Sequence, residues 1–196
     1  MPRPKRRLIA VSEDIINALI PVARRMGVSI QELVEIILGS IVRVASGRDN
    51  LDVFLMEALI RNDMASLGGL VIPFSLFIKI INGLDGEKLE ELYEELENYA
   101  KIVASIAKTR GIEGDIGVKL LLKQWLVSLP ASIEVTATND GWRLLIASPM
   151  LSNEKSLEAI TRIAEAAVNG LGYSISSIEK QPGLIVLTYR RGNDVE

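Results

Sequence analysis

Apolar residues at Ile15, Ile16, Leu19, Ile20, Val22, Ala23 and Met26 recur at three- and four-residue spacing and predict one face of a helix. Ser12 stands where an N-cap belongs, and Glu13 and Asp14 place negative charge on the first turn, where the helix dipole favours it. Gly27 fits the position just past the helix end. Ser29 and Glu32 then form an S-x-x-E capping box that opens a second helix, Ile30 to about Ser46, stopped by Gly47. That helix is apolar on nearly every side (Ile30, Leu33, Val34, Ile36, Ile37, Leu38, Ile41, Val42, Val44), so it requires cover from a partner or from the rest of the chain. Ahead of both helices, Leu8-Ile9-Ala10-Val11 is a short extended segment, with Pro2 and Pro4 discouraging helix before it. Pro21 falls inside the first helix, where the missing N–H and the ring clash predict a kink or break costing ~3 kcal/mol or more.

From Asp49 to about Leu126 the pattern stays helical. Leu51 to Met64 is amphipathic, and Met64 to Leu84 reads as a buried apolar helix, with Gly68, Gly69 and Pro73 as points where it would break. Asp85-Gly86 interrupts the chain. Glu87 to Arg110 follows, its stripe formed by Leu89, Leu92, Leu96, Tyr99, Ile102, Val103 and Ile106. Its glutamates (Glu87, Glu90, Glu91, Glu94, Glu95, Glu97) lie off that stripe and are expected to form a solvated face, since no aspartate-rich calcium loop accompanies them. Gly111, Gly114 and Gly117 match no phosphate-loop spacing and are read as turn punctuation.

At Ile133 the period changes to two. Ile133 to Thr138 alternates, Asn139-Asp140-Gly141 turns, and Trp142 to Ala147 returns as a second strand. Ser152 is placed to cap a helix running to about Val168, ended by Asn169-Gly170. Tyr173 to Ile178 and Leu184 to Tyr189 are two further strands around Gln181-Pro182-Gly183. A ββαββ unit implies a two-layer sandwich with a helix over one sheet face. The expected fold class is α+β, with segments 1–47, 48–130 (helical) and 131–196 (ββαββ). Trp142, Arg143, Tyr173, Arg190 and Arg191 are the chemically interesting residues of the last segment, the aromatics expected in a core.

Composition narrows the function. The chain contains no cysteine and no histidine, so disulfides, thiolate or imidazole metal sites, and Cys- or His-based catalysis are all excluded. With no cofactor motif either, no catalytic residue, metal or cofactor is expected, and the chain reads as a non-enzyme. The absence of cysteine fits a reducing interior, so a cytoplasmic location is expected. No leader pattern follows the basic start, and the longest uncharged run, Met64 to Ile78, has fifteen residues, short of the ~20 that span a bilayer. No membrane partner is expected. The net charge of −3 hides an asymmetry: residues 1–48 carry +4 and the remainder −7, so a basic head sits on an acidic body and suits an anionic partner that meets one end.

Strand, capped helix, glycine turn and capped helix within about forty residues, carried by Arg6-Arg7-Leu8-Ile9-Ala10-Val11-Ser12-Glu13 and Ala23-Arg24-Arg25-Met26-Gly27-Val28-Ser29, resemble the ribbon-helix-helix family of DNA-binding dimers. The resemblance covers Arg6 to about Ala45. It implies a homodimer whose paired strands enter the major groove of double-stranded DNA, with the second helix packing the dimer and its N-terminus at Ser29 meeting a phosphate. On that reading Arg3, Lys5, Arg6, Arg7 and Ser29 contact nucleic acid, and the protein is a transcriptional regulator, with the ββαββ segment open to an unidentified small-molecule effector. The groove-facing positions would be Arg6, Leu8 and Ala10, and of these only Arg6 offers hydrogen bonds to a base edge. The alternative is a non-catalytic interaction protein that dimerises through the same unit without binding DNA.

Overall fold

In the computed structural model, which describes residues 9–45 and 50–192, the chain forms two compact units, Met1–Leu51 and Asp52–Glu196. The first is a helical hairpin of α1 (Glu13–Met26) and α2 (Ile30–Ala45). Gly27 adopts the left-handed conformation at φ 68° and closes α1 with two turn hydrogen bonds, its own N–H to the Arg24 carbonyl and that of Val28 to the Ala23 carbonyl. The expected break at Pro21 does not occur: α1 runs through it. Pro21 and Asn17 are both exposed, so the Asn17 carbonyl that loses its helical donor can turn to water. Ser12 occupies the N-cap position but makes no side-chain cap hydrogen bond.

The second unit contains α3 (Leu51–Ser66), α4 (Phe74–Asn82), α5 (Glu87–Thr109), α6 (Gly114–Trp125), β1 (Ser132–Thr138), β2 (Gly141–Ala147), α7 (Glu154–Gly170), β3 (Tyr173–Gln181) and β4 (Leu184–Arg191). The fold is thus α+β. The apolar stretch expected as one helix from Met64 to Leu84 is interrupted: α3 stops at Ser66, residues 67–73 are not helical, and Pro73 precedes α4. That stretch is buried only in part: Phe74 and Ile81 are in the core, whereas Leu70 is 86% and Val71 70% exposed. Gly114 and Gly117 lie in α6 rather than in turns, and a Cβ on Gly117 would stand 3.1 Å from the Ile112 carbonyl carbon. Asn153, not Ser152, caps α7, its side chain accepting from the Ser156 N–H at 3.2 Å. Asn169 and Gly170 belong to the last turn of that helix, and the chain leaves it through Gly172 at φ 90°.

The strands form one antiparallel sheet in the order β1-β2-β4-β3. The register puts Ile133, Ile146 and Ile185 in one inward row, Val135, Leu144 and Leu187 in the next, and Trp142 beside Tyr189 in a third. Leu144, Ile146, Ile185, Leu187 and Tyr189 are fully buried, and these rows pack against α6 and α7. Opposite parity places Thr136, Arg143 and Thr188 on the other face. Helices and sheet share one core, from Ile60 through Val103 and Leu121 to Tyr189, so the helical and ββαββ stretches make a single hydrophobic unit. Among the described residues no helix is long and apolar enough to cross a membrane.

Candidate functional site

Arg3, Lys5, Arg6 and Arg7 lie outside the described residues. Ser29 is at the N-terminus of α2: its Oγ accepts from the Glu32 N–H at 3.2 Å and its carbonyl from the Leu33 N–H at 2.9 Å. The first half of the capping box is therefore formed. Residues 9–11 take no regular secondary structure, so the extended segment expected from Leu8 to Val11 forms no strand at its described positions. The hairpin itself hides little. Ala23 and Leu33 are buried, while Ile15, Met26, Ile36, Leu38 and Val42 are exposed, Val42 to 66%.

In the second unit the aromatic residues are structural. Trp142, Tyr173 and Tyr189 form a three-ring cluster with centroids 5.5–5.9 Å apart. The Tyr173 hydroxyl accepts from the Gly114 N–H at 2.8 Å. The Tyr189 hydroxyl is buried with no hydrogen-bond partner among the described residues, and desolvation pushes its pKa far above the usual phenol value. Arg143 and Arg190 point to solvent and converge on nothing.

The glutamate face of α5 is solvated as its sequence implies, with Glu87, Glu90, Glu91, Glu94 and Glu95 exposed and Glu97 half-buried, but part of it is also paired. Arg162 of α7 donates to Glu90 (2.5 Å), Glu97 (3.3 Å) and, within its own helix, Glu158 (3.0 Å), while its guanidinium lies 4.7 Å above the Tyr93 ring. Lys180 of β3 pairs with the same Glu158. Burial alone would raise the Glu158 carboxyl, but hydrogen bonds from Lys180 and Arg162 outweigh it and hold the pKa below the usual range. Glu165, one side of α7 further on, shows the reverse: desolvation first, then the charges of Glu158 and Glu97, raise it. These groups bind helices and sheet together. No group of three or more acidic side chains among the described residues is arranged to hold a metal ion.

A large concavity lies where α3, α4, α5, the end of α6 and α7 meet, with a volume of about 590 Å³. Phe74, Phe77, Leu96, Tyr99, Trp125 and Ile163 form much of its wall. Cross-links between elements keep that wall in place. The Tyr99 hydroxyl donates to the Met64 carbonyl at 2.6 Å, and the Tyr99 ring meets Trp125 edge-on at 5.0 Å. Arg61 donates through Nε and Nη2 to Gln124 Oε1 at 3.1 and 3.0 Å, and Arg110 pairs with the buried Asp63 at 2.7 Å. Gly69 is required here, because a Cβ would overlap the Tyr99 hydroxyl and approach the Met64 carbonyl to 2.8 Å.

The chain matches no family model and no curated protein. Sequence reasoning did not find the cavity. Its one signal was the Gly68-Gly69…Pro73 interruption in an apolar run, and nothing ties that to Gln124 or Trp125, some sixty residues away.

Proposed function

We propose that the chain is a non-catalytic, dimeric DNA-binding regulator whose first unit acts as a ribbon-helix-helix module. The observation that supports this reading is the open apolar face of the α1–α2 hairpin: Ile15, Ile36, Leu38 and Val42 stay exposed in a segment whose α1 end and α2 start are both capped. Burying such side chains contributes ~1.5–3 kcal/mol each when the cover is complete, which is ample reason for a second copy to pack there. Pairing of residues 8–11 between two copies would satisfy backbone groups that a lone strand leaves open. It would also bring two sets of Arg3, Lys5, Arg6 and Arg7 together beside the N-termini of the second helices, a geometry suited to phosphates.

The test is fluorescence anisotropy with mixed-sequence duplex DNA at several salt concentrations, the full chain beside a quadruple variant with Arg3, Lys5, Arg6 and Arg7 replaced by alanine. Sedimentation of both proteins reports the dimer. Binding that weakens steeply with salt and is lost in an intact dimeric variant supports the reading. A dimer that binds no DNA at low salt refutes it and leaves the second reading, dimerisation without nucleic acid. Leu8 and Ala10 favour that alternative, because neither offers a hydrogen bond to a base.

A further inference from the structure

Each of the five helices around the 590 Å³ cavity contributes apolar side chains to its wall, yet the cavity opens to solvent. Folded interiors normally close such gaps, since voids larger than a water molecule are few and cost dispersion contacts. Around this one, the contacts between Tyr99 and Met64, Arg61 and Gln124, and Arg110 and Asp63 tie the surrounding elements to one another. A pocket of that size, preformed, apolar and carrying a few polar groups, has the proportions of a small-molecule site.

The polar groups narrow the ligand. Arg61 is the one cation on the wall among the described residues. Its guanidinium is oriented by Gln124, and its other N–H donors have no partner among the described residues, which leaves them for an incoming acceptor. Trp125 contributes an indole N–H that is buried with no partner among the described residues. Glu95 is the wall's carboxylate, and it is exposed. The segment 67–73 borders the opening and offers Leu70 and Val71 to water, as does Val127 on the connection after α6. An apolar rim beside an apolar pocket suits a guest that is itself a hydrocarbon chain.

We propose that this cavity binds an acyl-chain carboxylate, the chain lying among Phe74, Phe77, Leu96 and Ile163 and the head group meeting Arg61. The inference is independent of the DNA-binding reading, because every wall residue belongs to the second unit.

The experiment titrates the full chain with dodecanoate below its micelle concentration, followed by tryptophan fluorescence and by calorimetry. Dodecanol and dodecylamine are parallel probes, and vesicles of phosphatidylglycerol form a separate co-sedimentation arm. Saturable one-to-one binding of dodecanoate, with dodecylamine at least tenfold weaker, is expected. Arg61→Gln should weaken dodecanoate about tenfold and leave dodecanol unchanged. Ala65→Trp, at an exposed wall position, should fill the space and weaken both at least tenfold while the circular dichroism spectrum stays native. Three results would overturn the proposal: no binding of either dodecyl carboxylate or alcohol, binding that Ala65→Trp does not touch, or a preference for the amine. Sedimentation with vesicles without binding of free dodecanoate would also overturn it, because the rim would then be a membrane contact and not the mouth of an acyl site.

Discussion

The contact between α5 and α7 supports a quantitative test. Helices α5 and α7 meet along a seam of small residues, Ala100, Ala104 and Ala107 against Ala164, Ala167 and Gly170, with all five alanines buried. A Cβ added to Gly170 would lie 2.7 Å from Ala104 Cβ and 3.2 Å from the Lys101 carbonyl oxygen. Carbon atoms in contact ordinarily stand ~3.5–4.0 Å apart, so Gly170→Ala requires the helices to separate locally by about 1 Å. Ala104 Cβ is fixed to backbone and has no rotamer by which to yield. Overpacking of this kind costs ~1–3 kcal/mol. Alanine's better helix propensity offsets at most ~1 kcal/mol, and less at the final residue of a helix. The expected net loss is about 1–2 kcal/mol, or roughly 3–6 °C in melting temperature for a chain of this length.

Both tryptophans, Trp125 and Trp142, belong to the second unit, so urea unfolding followed by tryptophan fluorescence reports on that unit alone. The decisive comparison is a double-mutant cycle with Ala104→Gly. If the clash is the cause, removing the opposing methyl rescues Gly170→Ala, and the pair couples by about 1–2 kcal/mol. Gly170→Ala that stabilises the protein, or a cycle additive to within about 0.5 kcal/mol, would show that the helices are not in this contact and would refute the reasoning.

Three more predictions concern polar groups of the second unit. Glu165 has a raised pKa in the folded state, so its ionised form opposes folding: the penalty is absent below the ordinary carboxylate value of 4.5 and grows as pH rises through the folded value. Glu165→Gln should therefore raise stability in urea at neutral pH and make no difference in acid, whereas an equal effect at both pH values would exclude titration as the cause. Wild-type stability should also decline as pH falls below 4.5, because Glu158, held low by Lys180 and Arg162, then loses its charge. Tyr189→Phe keeps the three-ring packing and removes a buried hydroxyl that has no partner among the described residues, so it should be neutral or stabilising by up to ~1 kcal/mol. A loss above ~1 kcal/mol in the same unfolding assay would mean that the hydroxyl is satisfied.

Local signals carried the elements whose boundaries are set by neighbours in sequence. Gly27 and the Ser29–Glu32 pair end α1 and start α2 as their types require, and the Asn139-Asp140-Gly141 turn joins β1 to β2. Errors arose where a distant contact decides. Pro21 was given too much weight because its cost depends on whether the freed carbonyl reaches water, which the sequence does not state. The glutamates of α5 lie off the apolar stripe and are exposed save the half-buried Glu97, but the pairing of Glu90 and Glu97 with Arg162, a residue about seventy positions away on α7, has no local signal. The placement of β4 between β2 and β3, and the extra residue at Ser176 that shifts the β3 register, likewise follow from pairing across the sheet.

The cavity was illegible for a related reason. Leu96, Tyr99, Ile160 and Ile163 have the spacing of core residues, and hydrophobic periodicity does not distinguish a position that packs from one that faces a gap. The same two helices do both. Toward the C-terminal ends of α5 and α7, Ala104 and Gly170 allow the backbones to close. Earlier along α5, Tyr99 reaches across to the Met64 carbonyl and fixes the end of α3, while Gly69 bends the chain around its hydroxyl. Small side chains seal one stretch and a large hydrogen-bonded one props the other open. The two features therefore separate by substitution. Tyr99→Phe removes the link to Met64 and should slacken the cavity wall, lowering affinity for an acyl chain by more than it lowers the unfolding free energy. Gly170→Ala should do the reverse, because it disturbs the seam and leaves the cavity wall untouched.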